Sequence, residues 1–335
     1  MSGHWEKRWH PLRREWVIIS ANTAARPWGG ARVDGAGPAA VKHDPNCYLC
    51  PGNTRACGDT NPAYVGTYAF DNDFPSLSFA APVTAAAGRD QAGGLCRVLC
   101  WSPRHNDSLA SLDDAALQAV VRLMRDEHRA ARRPGVAQVL VFENRGAEIG
   151  VSNPHPHGQL YATDFVTRQA DEWRDAQHQH RVKSGGRLIP DYLAGMAPGQ
   201  RIGGQGEWSV YVPECARLPF ETWTTLDSAV SHLDGLSDAQ CDALGPLLGQ
   251  LVRAYDGHFG RATPMNLLWA SAPVDGDPRN RDWQLTLMAQ PALREPDKLK
   301  YFGGFEQLSG NVVNPLRPED AAAQLSLAMA RAARA

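Results

Sequence analysis

Apolar and polar positions alternate along this chain in two periods, and the period changes mark its elements. The run Glu15-Trp-Val-Ile-Ile-Ser20 is apolar, with basic residues before it and Asn22-Thr23 after it, and reads as a strand. From Arg26 to Cys57 glycine, proline and asparagine punctuate the chain and no period survives, so a long loop is expected, of a length that needs a staple or a function. Strand-like runs follow at Tyr64–Phe70 and Arg97–Trp101. Ser111 to Arg133 then carries Leu112, Ala116, Val120 and Leu123 on one helical face, with Ser111 as the expected cap and Asp113 and Asp114 in the first turn. Gln138–Glu143 reads as a strand, Leu160–Asp164 as its continuation beyond a turn-rich segment, and Thr167–Lys183 as a helix.

Ser184 to Gln205 is turn-rich and reads as a linker, dividing the chain into residues 1–183 and 184–335. Beyond it, strands are expected at Trp208–Val212 and Phe220–Leu226. A helix follows at Ser237–Phe259, opened by the capping box Ser237-Asp-Ala-Gln240. Strands near Asn266–Ala270 and Trp283–Ala289 and a last helix at Pro318–Arg334 complete the chain. Both halves run strands, helix, strands, which predicts an α+β fold of two similar units, each an antiparallel sheet flanked by helices.

Composition narrows the function. At 335 residues the chain is long enough for about two domains of ordinary size. A formal net charge of −2 supplies no basic field for sequence-independent nucleic-acid binding. Met1 to Trp16 is polar and basic and does not read as a signal peptide, and no run is long and apolar enough to span a membrane. A cytoplasmic setting is expected, in which seven cysteines are free thiols or metal ligands rather than a disulfide framework.

Cys47-Tyr48-Leu49-Cys50 lies in the long loop. A C-x-x-C pair reads as half of a metal site, as spare thiols, or as a redox pair, and Pro51-Gly52 argues against the helix start a redox pair needs. His105 and His155 are the best candidates to complete a Cys2His2 tetrahedron around Zn2+. Cys57, Cys96 and Cys100 compete as ligands, although Cys96 and Cys100 also read as buried strand cysteines.

The segment Asn153-Pro154-His155-Pro156-His157-Gly158-Gln159 carries the sharpest signal. Each proline forces an extended conformation on the residue before it, and residues two apart on an extended chain share a face. His155, His157 and Gln159 are thereby expected in one row. A metal on His155 would fix one end of that row. His157, held in one tautomer through Nδ1, would present Nε2 as a nucleophile, and Gln159 could donate to developing phosphoryl charge. Gly146, Gly150 and Ser152 supply the flexible backbone and hydroxyl that close approach of a phosphate requires.

These residues belong to a longer ordered set. Ala25-Arg-Pro-Trp-Gly-Gly30, Cys47-x-x-Cys50, Asp71-Asn-Asp-Phe-Pro75, Ser102-Pro-Arg-His105, Phe142 through Gln159, Pro219-Phe-Glu-Thr222 and Lys300-Tyr-Phe-Gly-Gly-Phe-Glu306 together make the chain closely resemble the galactose-1-phosphate uridylyltransferase family, within the histidine-triad superfamily. The resemblance implies a duplicated histidine-triad unit, a homodimer, and one structural Zn2+ per subunit on Cys47, Cys50, His105 and His155. It makes His157 the nucleophile and Gln159 its phosphate partner. It places Asn72, Asp73, Asn144, Gly150 and Ser152 around the nucleoside and its phosphates, and Arg26 with Lys300, Phe305 and Glu306 at a site completed across the dimer. The activity implied is ping-pong exchange of UDP-glucose and galactose 1-phosphate through a nucleotidyl-histidine.

Three departures from the family pattern qualify it. Some members carry a second metal on an acidic residue and three later histidines, and those histidine positions are here Ala270, Thr286 and Met288, so no second metal is expected. Thr23 replaces a common arginine, and the tail after Glu306, Gln307 to Pro315, lacks the family's sugar-contacting glutamine near Val312. The second reading is therefore a nucleotidyltransferase or phosphorylase for another sugar 1-phosphate or base, of the ADP-glucose type for example. A zinc-stapled nucleotide-binding protein without turnover and a hydrolase of nucleotide conjugates are the remaining alternatives. The first is opposed by the intact His157 and Gln159, the second by the two-unit length.

Overall fold

The computed structural model describes residues 5–20, 41–80, 91–151 and 153–334. In chain order the elements are β1 (Trp5–His10), β2 (Glu15–Ser20), β3 (Tyr68–Asp71), β4 (Gly94–Cys100), α1 (Asp114–Ala131), β5 (Gln138–Arg145), β6 (His157–Thr163) and α2 (Arg168–Ser184). Then come α3 (Leu188–Ala194), β7 (Arg201–Gln205), β8 (Trp208–Tyr211), β9 (Thr222–Leu226), α4 (Asp238–Phe259), β10 (Met265–Ala270) and β11 (Thr286–Pro291). The chain closes with β12 (Leu293–Glu295), β13 (Lys298–Leu299), α5 (Gly304–Ser309), β14 (Val313–Asn314) and α6 (Pro318–Ala332).

Nine strands form one antiparallel sheet in the order β3-β4-β6-β5-β10-β11-β9-β8-β7. The order has a near mirror in it. β3-β4-β6-β5 comes from a strand-strand-helix-strand-strand series around α1, and β8-β9-β11-β10 from the same series around α4. The expected repetition of one α+β unit is therefore visible in topology, and β5 pairs with β10 to join the two four-stranded sets edge to edge. β1, β2 and β14 make a separate small sheet, in which β14 runs parallel to β2.

Burial alternates along β10 and along most of β5 and β6. Val139, Val141, Leu160, Ala162, Leu267, Trp269, Leu287 and Ala289 point to one face and form a continuous apolar core beneath α1, α4 and α6. The opposite face carries His157, Gln159, Asn144 and Asn266. At the second unit it is covered by Trp173 of α2 and by Ile189 and Leu193 of α3, which pack with Trp223, Trp283 and Met288.

Several expected elements shift. Asp113, not Ser111, caps α1, its carboxylate accepting from the Ala116 amide at 2.8 Å. Ser111 is used one turn earlier, where its hydroxyl closes a loop with Ser108, so its side chain is no longer available to cap. The buried stripe of α1 accordingly centres on Leu117, Val120, Val121, Met124 and His128. The passage 184–205, expected as a linker, contains α3 and β7; α3 is only seven residues long, too short for a period to show, and forms because Leu188, Ile189 and Leu193 find an apolar surface. The capping box of α4 is present as expected, Ser237 and Gln240 each bonding the other's backbone amide. Among the described residues no helix is long and apolar enough to cross a membrane.

α1 and α4 cross closely because of a glycine. A Cβ on Gly245 would lie 2.6 Å from the Gln118 amide nitrogen, a backbone atom that cannot step aside. Gly257, in the same helix, meets nothing within 4 Å. Gly245→Ala is expected to destabilise the protein by about 1–3 kcal/mol despite the better helix former, whereas Gly257→Ala is expected to stabilise it by about 0.5–1 kcal/mol. Denaturant titration of the two variants checks both signs.

Candidate active site

The loop preceding β3 folds back on the entrance to β6. Cys47 and Cys50 bring their thiols to the imidazoles of His105 and His155, and one ligand atom from each of these four buried residues lies within 4.8 Å of the others. Cys50 Sγ stands 3.7 Å from His105 Nδ1 and 3.5 Å from His155 Nδ1. Ligands bonded at about 2.0–2.3 Å around a tetrahedral centre lie about 3.5 Å apart, so the quartet has the dimensions of a metal cage. Cys57, Cys96 and Cys100 are outside it, and all seven cysteines are free, so no redox disulfide is formed by Cys47 and Cys50.

Surrounding groups orient the ligands. His155 Nε2 is 2.9 Å from the Ser102 carbonyl and 3.2 Å from the Tyr64 hydroxyl, which reserves Nδ1 for the metal. The Leu49 amide and the Asn153 side-chain amide both donate to Cys47 Sγ, at 3.4 Å. Burial pushes the Cys50 thiol up to about 11 and holds His155 down to about 4. Without a cation Cys50 and His155 therefore favour their neutral forms, and a divalent cation is the group that would favour a Cys50 thiolate there.

β6 begins at His157, while His155 sits at a bend before it with its ring in the cage. His157 Nδ1 lies 2.7 Å from the His155 carbonyl, an acceptor only, so Nδ1 carries the proton and Nε2 keeps its lone pair. Burial also holds the His157 imidazole below its ordinary value, which favours the neutral, nucleophilic ring. Gln159 follows on the same face, opposite Val98 and Phe142 on the flanking strands. Between them Gly158 is required by packing: a Cβ there would be 2.2 Å from the Trp101 ring.

The approach to this strand is braced by ion pairs that motif reading did not single out, because their partners lie more than a hundred residues away. Arg145 makes two bonds to Asp256, at 2.6 and 2.7 Å, and Glu148 pairs with Arg261. They hold the turn Ala147–Ile149, flanked by Gly146 at φ 100° and Gly150 at φ 89°. Tyr64, whose hydroxyl touches the cage, gave no sequence signal beyond its place in an expected strand.

The expected substrate contacts fall in several places. Asn72 and Asp73 follow β3. The Asn72 side chain accepts from the Phe74 amide, and Asp73 accepts from the Cys57 amide with Arg55 at 3.7 Å. Extending the β5–β6 register by two residues places Asn144 opposite His157. Lys300 binds Glu306 at 2.6 and 2.8 Å, and Glu306 also accepts from the Gly303 and Val313 amides. Among the described residues no hydrogen bond, ion pair or ring contact joins Lys300, Phe305 or Glu306 to His157. Arg26, Ser152 and Thr23 lie outside the described residues. Ala270 and Met288 line an apolar cavity of about 230 Å3 together with Trp173, Trp283, Phe142 and Leu268, and the Thr286 hydroxyl donates to the Gln284 carbonyl at 3.2 Å. These three positions offer no imidazole or carboxylate to a cation.

Comparison with known proteins places this geometry. The family described as galactose-1-phosphate uridyl transferase, N-terminal domain, matches residues 2–167. A galactose-1-phosphate uridylyltransferase of Haemophilus influenzae is 34% identical over 330 residues, covering 96% of this chain and 94% of the relative. One from Rattus norvegicus is 33% identical over 336 residues, covering 97% and 88%. A solved uridylyltransferase superposes with a TM-score of 0.79 at 24% identity, covering 91% of this chain and 97% of that one. An ADP-glucose phosphorylase from Arabidopsis thaliana superposes with the same TM-score, 0.79, at 21% identity, covering 96% and 98%. At those identities the two solved structures speak for the fold.

Beneath the site, on the core face, the Trp101 indole donates to a buried carboxylate, Glu143, at 2.9 Å. Burial pushes this carboxyl up to about 7 from an ordinary 4.5, against the opposing pull of Arg145 and Trp101. The native state therefore prefers the protonated form. That contribution to stability is complete below about pH 4.5 and is lost as the pH rises through about 7. Glu143→Gln keeps an acceptor for Trp101 and cannot ionise. Its stability relative to the parent is expected to rise by about 2–3 kcal/mol between pH 5 and pH 8, at roughly 1.4 kcal/mol per pH unit across the window. Equal differences at the two pH values, by urea titration, would contradict this.

Proposed function

The chain belongs to the galactose-1-phosphate uridylyltransferase family, and on that premise we propose that it exchanges UDP-glucose and galactose 1-phosphate through a uridylyl group carried on His157. The single observation that carries this reading is the His157 imidazole, neutral, with Nδ1 committed to the His155 carbonyl and Nε2 directed away from it. In the first step Nε2 attacks the α-phosphorus of UDP-glucose. An N–P bond forms, the P–O bond to glucose 1-phosphate breaks, and the electron pair leaves on a phosphate oxygen. In the second step an oxygen of galactose 1-phosphate attacks the same phosphorus, giving UDP-galactose and the free imidazole. Nucleophile and leaving group are both phosphates, weak bases that need no strong general acid, so positioning and charge stabilisation carry the reaction. Gln159 donates to the phosphoryl oxygens as charge develops on them.

Asn72 and Asp73 are proposed to hold the nucleoside, and Asn144, Gly150 and Ser152 its phosphates. Arg26, Lys300, Phe305 and Glu306 are proposed to complete the site of a second subunit. Trp5, Trp9, Trp16, Phe302, Phe305 and Leu308 are exposed, on the small sheet and around α5, an apolar area of the kind that homodimers cover. Seven unbridged cysteines suit a reducing, cytoplasmic setting.

Zn2+ is the cation proposed for Cys47, Cys50, His105 and His155, because two thiolates and two imidazoles in a closed tetrahedron suit it. Its part is structural: it ties the 41–64 loop to the segment that carries His157. One zinc per chain is expected by elemental analysis, and its removal by a chelator should lower the melting temperature and open the 41–64 loop to protease. A protein that keeps its melting temperature when stripped of metal would contradict the staple.

One observation keeps a second reading in view. Val312, near which the family's sugar-contacting glutamine is missing, is 2% exposed, and its carbonyl accepts from the Ile18 amide. It is built into the small sheet and offers the sugar nothing, which favours a different sugar 1-phosphate or a phosphorylase. Incubation with UDP-glucose, UTP and ADP-glucose labelled on the α-phosphorus separates the readings. UDP-glucose is expected to leave acid-labile label on the wild type and none on His157→Ala, and galactose 1-phosphate is expected to discharge it. Label from ADP-glucose alone supports the second reading. Equal label on His157→Ala would sink the covalent mechanism.

A further inference from the structure

Next to His157 the sheet carries a row of side-chain amides that no other described residue hydrogen-bonds. Asn144 of β5 is opposite Asn266 of β10, and Asn266 is opposite Gln290 of β11. With strands about 4.8 Å apart, the row His157-Asn144-Asn266-Gln290 runs about 14 Å across the sheet. All four residues are half-buried. Among the described residues no hydrogen bond is made by the side chain of Asn144, Asn266 or Gln290, whereas other amides on the same face are engaged. Gln138 accepts from the Thr167 amide at 2.9 Å, and Gln284 donates to the Leu226 carbonyl at 2.9 Å. Gln159, on the same face, is likewise without a side-chain hydrogen bond among the described residues, and half-buried polar groups left without partners beside His157 are ready for a ligand.

The chemistry of the row identifies the ligand class. A carboxamide both donates and accepts, as a hydroxyl does, and carries no charge. The row holds no lysine or arginine, so it suits hydroxyls better than a second phosphate. The adjacent row on the same face, Phe142, Leu268 and Met288, is apolar and continues into the cavity under Trp173 and Trp283. A polar edge beside an apolar floor matches a pyranose ring, which has hydroxyls at its rim and C–H groups on its faces.

We propose that Asn266 and Gln290 are specificity residues that hydrogen-bond the ring hydroxyls of the sugar 1-phosphate, with Leu268 beneath the ring. The proposal rests on the reading of His157 as the nucleotidyl carrier, and it assigns sugar selection in this chain to β10 and β11.

The test uses the full chain and separates the two half-reactions. Wild type, Asn266→Ala and Gln290→Leu are labelled from UDP-glucose or ADP-glucose, then discharged with galactose 1-phosphate, glucose 1-phosphate and their singly deoxygenated analogues. Because the two side chains make no hydrogen bond among the described residues, the variants should melt within a few degrees of the parent. KM for discharge should rise about tenfold, the loss of one well-placed hydrogen bond, with a smaller change in the rate at saturation. For one deoxy analogue the wild type should lose about tenfold and the matching variant nothing further.

An unaltered KM for every sugar phosphate overturns the proposal, and so does a loss that is the same for every deoxy analogue. A large drop in melting temperature would show that the amides hold the sheet instead. Wild type that takes no label from either donor fails the His157 reading, and this proposal with it; labelled wild type with unaltered variants fails this proposal alone.

Discussion

The antiparallel pairing of β5 with β10, from Met265 opposite Arg145 to Trp269 opposite Val141, is the constraint on which the rest of the protein depends. Each four-stranded set alone would end in an unpaired strand whose amides and carbonyls need partners. Joined, the two sets bury that edge and align their faces, so α1 and α4 lie over one continuous core. The same pairing places Asn144 beside Asn266 and brings β10 and β11 of the second unit within three strands of the β6 histidine. A chain built from two similar units thereby acquires one site face, to which both units contribute different chemistry.

The two faces divide the work. On the largely apolar core face Glu143 sits with Trp101 directly under Gly158, the residue between His157 and Gln159. The glycine lets the indole fill the space below the strand, and the position of β6 is set by that packing as much as by its hydrogen bonds. On the site face the first unit supplies the four-ligand cage and His157. At the corresponding depth of the second unit stand Ala270, Thr286 and Met288, with two tryptophans around an apolar cavity. The site face thus differs between the units: a cluster of thiols and imidazoles in the first, an apolar cavity in the second.

The links that assemble the site are mostly long-range. Arg145 to Asp256 and Glu148 to Arg261 each span more than a hundred residues and fasten the turn before the histidines to the region around the end of α4. His155 is fixed by the Ser102 carbonyl and the Tyr64 hydroxyl from two other segments. No local pattern announces such partners, because an arginine on a strand end looks the same in sequence whether it meets solvent or an aspartate.

By itself the sequence determined what depends on neighbouring residues. The period of two puts His157 and Gln159 on one face of β6, although the strand begins only at His157 and His155 sits at a bend, and the Ser237–Gln240 box starts α4 where it stands. The Cys47–Cys50 spacing and the two histidines were enough to nominate the cage. Only the tertiary structure decided which serine or aspartate caps α1, that a passage resembling a linker folds as α3 and β7, and that the two units share a sheet. It also decided that Asn266 and Gln290 stand in line with His157. The reason is physical: dihedral preference and side-chain alternation act over a few residues, whereas strand register and burial are settled between segments that meet only when the core forms.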